Sequence, residues 1–424
     1  MQAMKTTEQI AAELQGYDPQ SLPADAVLAF LGQLVEPVHE TERVGVFDAL
    51  GRVLADDVVS PISVPAHDNS AMDGFAFDGA SLQTNQALTL QVVGTALAGK
   101  AWHGTVASGQ CVKIMTGAVM PQGLDTVVPQ EFAQVSNDQI TIGPGLIHPG
   151  DNRRKLGEDL LCGARALHKG ELLKPAALGL LASLGIASVA VRRRLRVAYF
   201  STGDEILSLG EAPREGAVFD SNRYTVFGLL TRLGVQVMDL GVVRDDPALL
   251  EAAFRSAAAQ ADAIITSGGV SVGEADYTKA MMRQLGDVAF WRIAMRPGRP
   301  MAVGRIGKSV LFGLPGNPVA VMVTFLAFVR PALLQMMGSS APEPPLLKAR
   351  SREPIRKKPG RTEYQRGVVR TTPDGHLEVA TTGNQGSGVL SSMVHANGLI
   401  VLHDAQGNVA VGDEVDVMMF DGVI

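Results

Sequence analysis

Three turns carry the residue types best suited to chemistry in this chain. Ser201-Thr202-Gly203-Asp204-Glu205, the segment from Ser267 to Asp276 and Gly313-Leu314-Pro315-Gly316-Asn317-Pro318 each follow an apolar, strand-like run. Glycine lets backbone amides approach a phosphate closely, and a helix starting just beyond adds its positive end. Thr202, Gly203, Asp204, Gly268, Gly269, Ser271, Gly273, Pro315, Gly316, Asn317 and Pro318 are therefore candidates for one phosphate-binding edge. Each turn alone is weak evidence, since about half of such glycine-rich turns are plain connections, and it is their coincidence that carries weight. Neither G-x-G-x-x-G nor a P-loop occurs where it would be needed, which argues against a dinucleotide dehydrogenase or an ordinary NTPase.

Carboxylates gather at the same turns: Asp204, Glu205, Asp245, Asp246 and Asp276. Such oxygen donors suit Mg²⁺ bridging to a substrate phosphate. Helix capping is the alternative and the preferred reading for Asp246, which precedes Pro247; for Asp276 both readings stay open. Arg292, Arg296 and Arg299 surround a Pro297-Gly298 turn, and Arg361 and Arg366 lie in a second basic stretch. Paired guanidinium bonds suit a tetrahedral oxyanion. Arg356 to Lys358 read instead as a solvated face. None of the eight histidines shows a metal-ligand spacing.

The elements that must position these groups follow from hydrophobic patterning. Strand runs Leu195–Phe200, Val235–Leu240, Ala263–Thr266 and Val310–Gly313 alternate with helical patterns Tyr224–Leu233, Pro247–Gln260, Tyr277–Leu285 and Pro318–Met337. This predicts a doubly wound α/β domain with a mostly parallel sheet over 193–340, whose ligands bind beyond the carboxyl ends of the strands. Residues 60–163 predict a small β-rich domain, 20–59 with 164–192 a discontinuous helical and extended linking domain, and 346–424 a C-terminal β-barrel-like domain.

Composition bounds the rest. The net charge of −6 argues against a general nucleic-acid partner. Only Cys111 and Cys162 occur, in no paired spacing, and Met1 to Gln20 lacks the apolar stretch of a signal peptide, so a reducing, cytoplasmic setting is expected. The apolar runs Ala176–Val191 and Pro318–Val329 are shorter than the roughly 20 residues that span a bilayer and are expected as buried core, with no membrane association.

At Asp68-Asn69-Ser70-Ala71-Met72-Asp73-Gly74, Lys113-Ile114-Met115-Thr116-Gly117-Ala118 and Gly157-Glu158-Asp159, together with the three turns above, the sequence resembles the molybdopterin molybdenumtransferases, the family of bacterial MoeA and the C-terminal domain of gephyrin. The resemblance runs from about Pro23 to the C-terminus. It implies a four-domain homodimer with its active site at the subunit interface, where Asp73 and Thr116 of one copy face Glu205, Asp245 and Asp276 of the other. The implied reaction is Mg²⁺-dependent release of AMP from adenylylated molybdopterin with insertion of molybdate into the dithiolene. Asp245 and Asp276 are then expected at the metal or phosphate, Glu205 and Asp73 as catalytic positioning groups, and Arg296, Arg299, Arg361, Arg366 and Ser387 as oxyanion binders. The implied partners are a molybdopterin adenylyltransferase and downstream molybdenum cofactor enzymes.

Two positions depart from that family pattern. Arg296-Pro297-Gly298-Arg299-Pro300 stands where relatives commonly have lysines, and Ala320 where they often have serine. The first keeps the charge but changes donor geometry. Two other readings are an adenylyltransferase, which would not need the Asp68–Gly74 region, and a non-enzymatic scaffold of the gephyrin kind.

Overall fold

Strands that are apolar on both faces need cover on both sides, and the central domain meets that need with helices. The computed structural model describes residues 5–14, 17–270, 277–341 and 343–420; Ser271, Gly273 and Asp276 lie outside them. In chain order the α/β unit runs β1 (Arg196–Thr202), α1 (Ser221–Leu233), β2 (Gln236–Val243), α2 (Pro247–Gln260), β3 (Ala263–Ser267), α3 (Tyr277–Leu285), β4 (Gly286–Arg292), β5 (Pro300–Ile306), β6 (Ser309–Leu314) and α4 (Pro318–Met336). The sheet order is β2-β1-β3-β6-β5-β4. The first four strands are parallel, and β5 runs antiparallel to both neighbours.

Alternation along β1 divides the core. Val197 and Tyr199 join the cluster with α1 and α4, while Ala198 and Phe200 pack with Phe254 and Ala257 of α2. The chain leaves β1 for β2 on one side, then crosses to β3 on the other. That reversal opens a crevice at the carboxyl ends of β1 and β3.

The other sheets flank this unit. A six-stranded sheet forms within residues 74–142, and Thr41–Gly45 pairs with Ser188–Arg192, closing the chain around it. In the C-terminal region Leu347–Ser351, Thr362–Thr371, Leu377–Thr381, Gly398–Leu402 and Glu414–Met419 form a ring, because Thr362–Thr371 bonds both Leu377–Thr381 and Gly398–Leu402. This is a closed five-stranded barrel. Met295–Arg296 adds to its rim, parallel to Thr362 and Glu363.

Several details differ from expectation. The helix expected over Pro318–Met337 runs from Pro318 to Met336, and its apolar window, longer than the run to Val329 and long enough to cross a membrane, is 72% buried inside the protein. Pro331 cannot donate to the carbonyl four residues back, and the turn before it, Phe325–Val329, is a π-helix. Lys357 is not on a solvated face: it is 4% exposed, and its ammonium donates to the carbonyls of Lys358, Asp404 and Gln406. Arg356 and Lys358 on either side do face solvent, as strand-like alternation dictates. An N-terminal helix, Thr7–Glu13, covers the edge strand β4, with the Thr7 amide and hydroxyl donating to Asp287 at 2.7 and 2.5 Å.

The linking segment is tied to the sheet by Arg193, which donates to both oxygens of Asp262 at 2.7 and 2.8 Å. Burial pushes the Asp262 carboxyl up, but the Arg193 fork and the Arg196 amide outweigh it and hold the group below the usual carboxylate range. A depressed folded-state value contributes stability above the unfolded-state pKa of about 3.9, and that contribution is lost as pH falls through the folded value. Asp262→Asn is expected to lower the unfolding free energy at pH 7 by about 2–3 kcal/mol, less than for a fully buried pair because the group is partly exposed. In urea titrations the gap to wild type should stay constant down to about pH 4 and narrow below it.

Candidate active cleft

The crevice at the end of β1 and β3 is a cleft of about 550 Å³. Ser201 and Thr202 end β1, Ser267 ends β3 with Gly268 just beyond it, and Gly316, Asn317 and Pro318 lead from β6 into α4; all line it. Each strand of this trio hydrogen-bonds its neighbour, so the turns share one edge by register. Pro318 sits at the first turn of α4, where its missing N–H costs nothing.

Beneath the cleft floor lies a triangle of hydroxyls. The buried Tyr199 hydroxyl is 2.9 Å from Ser201 Oγ and 2.7 Å from Ser267 Oγ, and the serines are 3.3 Å apart. Burial raises the Tyr199 phenol well above its ordinary value, so it remains a neutral donor. Gly268 has φ +93°, and a Cβ there would overlap the Thr202 carbonyl oxygen. Glycine is what lets the two turns come together.

The carboxylates divide around the first turn. Glu205 lines the cleft, whereas Asp204 faces an adjoining hollow of about 330 Å³ with Gly203, Arg214 and Arg244. Asp204 Oδ1 accepts from the Asp245 amide at 3.3 Å, which sets those two residues side by side. Asp246 caps α2 by accepting from the Ala248 and Leu249 amides. Among the described residues no three potential ligands converge as a metal cage. Asp204, Glu205 and Asp245 instead offer only carboxylate oxygens on neighbouring loops, a donor set that suits Mg²⁺ sharing its shell with water and phosphate.

The arginines arrive from the barrel side. Arg296 and Arg299 are exposed on a turn whose Gly298, at φ +95°, packs so closely on Thr324 that a Cβ would overlap its hydroxyl. Arg366 is 1% exposed and donates to Ser392 Oγ, Asn384 O and Gly386 O. Burial, with repulsion from Arg296 added, brings its guanidinium down to about 10, so it is still charged at neutral pH. Arg361 differs: the buried Glu363 takes its Nε and Nη2 at 2.8 and 2.7 Å. Ser387 accepts from the Val319 amide through its carbonyl, and Gly388 lines the cleft, so the barrel loop seats on the start of α4. Arg292 is exposed at the end of β4, opposite Pro300 and so beside the Arg299 turn.

Asp73 and Thr116 are not among the residues lining this cleft. They are bonded to each other, the Thr116 amide and hydroxyl donating to Asp73 Oδ1 at 2.7 and 2.8 Å. Those bonds hold the exposed Asp73 carboxyl below the usual carboxylate range. Sequence reasoning missed Val218, Phe219, Asp220, Ser221 and Asn222, which also line the cleft. The signal was present in Asp220-Ser221-Asn222, a capping sequence ahead of a helical pattern.

Three family models match the chain: the MoeA N-terminal region (domains I and II) over residues 22–185, the probable molybdopterin binding domain over 198–335, and the MoeA C-terminal region (domain IV) over 348–420. The molybdopterin molybdenumtransferase of Haemophilus influenzae is 42% identical over 93% of this chain and 97% of its own length. The enzyme of that name from a Nostoc species is 36% identical over 90% and 89%. Among solved structures, a molybdopterin biosynthesis MoeA protein from Pyrococcus horikoshii superposes with a TM-score of 0.80 at 26% identity, covering 94% of this chain and 100% of that one.

Gly268→Ala is expected to lower the melting temperature modestly, a cost of about 1–3 kcal/mol for the strained residue. Because the Thr202 and Gly268 turns must then separate, amide hydrogen exchange should rise at these turns while the β1 and β3 interiors stay protected.

Proposed function

The chain belongs to the MoeA family of molybdopterin molybdenumtransferases, and from that premise we propose that it releases AMP from adenylylated molybdopterin and inserts molybdate into the dithiolene. The observation that carries this reading is the meeting, at one sheet edge, of amide-rich turns and carboxylates, with the barrel loop that the buried Arg366 holds at Gly386 reaching the same cleft through Gly388. Thr202, Gly203, Gly268, Gly269, Gly316 and Asn317 hold the phosphates through backbone amides and neighbouring hydroxyls. Ser271, Gly273 and Asp276 belong to the same turn by sequence.

Asp204, Asp245, Glu205 and Asp276 would hold Mg²⁺, which when bound neutralises charge on the phosphoanhydride. With that bond cleaved by water, AMP departs carrying its phosphate, and the two thiols of the dithiolene condense with molybdate, their protons leaving with one oxide as water. Arg366, Arg296 and Arg299 receive the oxyanion. Among the described residues Arg366 bonds one hydroxyl and two carbonyls and no carboxylate, so its charge is left to act on an anion beside it. Arg361 contributes less because Glu363 already satisfies part of its fork. Ser387 acts by seating its loop on α4, with its carbonyl already engaged.

The working unit in this reading is a homodimer, in which Asp73 and Thr116 of a second copy complete the cleft. Val59, Ile62, Leu156 and Leu161 are all exposed near one another, where Cys162 bonds Ser63 and Gly157 packs on Leu161, and burying them would favour association. The substrate comes from an adenylyltransferase, and the product passes to enzymes that use the cofactor.

Purified protein given adenylylated molybdopterin, Mg²⁺ and molybdate should release AMP, followed by chromatography. Asp245→Asn is expected to lower kcat by about 100-fold or more with the melting temperature unchanged. Silence from the wild type with competent substrate would overturn the reading. Mixing Asp73→Asn and Asp245→Asn chains after subunit exchange should restore part of the activity, since mixed dimers carry one intact cleft; no recovery would overturn the shared site.

A further inference from the structure

Two residues that line the cleft each carry a buried acceptor atom with no partner among the described residues. Asp220 is 4% exposed and Asn222 8% exposed, and both line the cleft. Asp220 Oδ1 caps α1 by accepting from the Arg223 amide at 3.0 Å, while Oδ2 is buried without a hydrogen-bond partner. Asn222 Nδ2 donates to the Gly316 carbonyl at 2.7 Å, while Oδ1 is also buried without a partner. The Gly316 bond fixes the amide orientation, because a flipped Asn222 would set oxygen against oxygen. Leaving a buried acceptor unpaired is costly, and two at one site call for a ligand carrying two donors.

The donor pattern discriminates between the two halves of the substrate in the proposed reaction, on which this inference rests. A pterin carries adjacent N–H donors on one edge, the 2-amino group and N3–H. The adenine edge alternates a donor with an acceptor. We propose that Asp220 Oδ2 and Asn222 Oδ1 form the acceptor pair that reads the amino-pyrimidinone edge of the pterin. The adjacent apolar wall of Ile206, Val218 and Phe219 covers the ring face. The tie from Asn222 to Gly316 then couples pterin recognition to the turn that opens α4. Specificity follows from pairing: a ring with an acceptor in place of the amino group leaves oxygen facing oxygen.

The test compares two ligands on the full-length wild type: pterin-6-carboxylate, and lumazine-6-carboxylate, in which a carbonyl replaces the 2-amino group. AMP is titrated in parallel by calorimetry. Pterin is expected to bind at least about tenfold more tightly than lumazine. Asp220→Asn keeps a competent helix cap but turns the free acceptor into a donor. It should cut pterin affinity by about tenfold or more while AMP affinity and melting temperature hold. Equal binding of the two rings, no binding of pterin, or an Asp220→Asn protein that keeps the preference would each overturn the acceptor pair. Ring discrimination without AMP release from the true substrate would instead overturn the proposed reaction and leave the acceptor pair standing.

Discussion

A two-residue backbone seam holds the cationic part of the cleft in place. Met295 and Arg296 run parallel to Thr362 and Glu363, and the Thr362 amide donates to the Ala294 carbonyl at 2.9 Å. One more bond, from the Val319 amide to the Ser387 carbonyl, seats the barrel loop on α4. These few peptide groups bring Arg366, a barrel residue, toward a turn of the α/β unit. Backbone pairing suits this task because it sets register as well as distance. Side chains alone would leave long arginines free to spread over many rotamers.

Charge is then distributed by pairing. The chain is acidic overall, yet Arg366 is buried with no carboxylate partner among the described residues, and Arg296 beside it adds repulsion. Arg361, five residues before it, is matched by Glu363. One cation is held by neutral acceptors and keeps its charge, and its neighbour's charge is matched. The cleft repeats that logic on the acceptor side, where Asp220 and Asn222 each use one end for the fold and leave the other unpaired.

Much of this was legible because it was local. Strands apolar on both faces, separated by amphipathic helices, announced the α/β unit, and Asp246 before Pro247 announced a cap that the structure displays. Less legible were features whose reason lies far along the chain. The N-terminal helix is anchored by Asp287, and its pattern alone carries no trace of that edge strand. Strands β4 and β5 were overlooked because the basic turn between them drew attention to charge. Lys357 was misjudged because its partners are three carbonyls, which composition does not reveal. Asp220 and Asn222 escaped notice for a related reason: capping explains one atom of each side chain and hides the other.

The apolar helix α4 packs against a second early helix, Ala24–Leu34, with Gln335 donating to the Gly32 carbonyl across 303 residues of sequence. During synthesis Val27, Phe30, Leu31 and Leu34 therefore leave the ribosome long before their cover is made. A stalled or truncated nascent chain would present that greasy stripe to chaperones, proteases or other chains. Loss of the last third of the protein is thus a solubility defect for the first third, whatever becomes of the cleft.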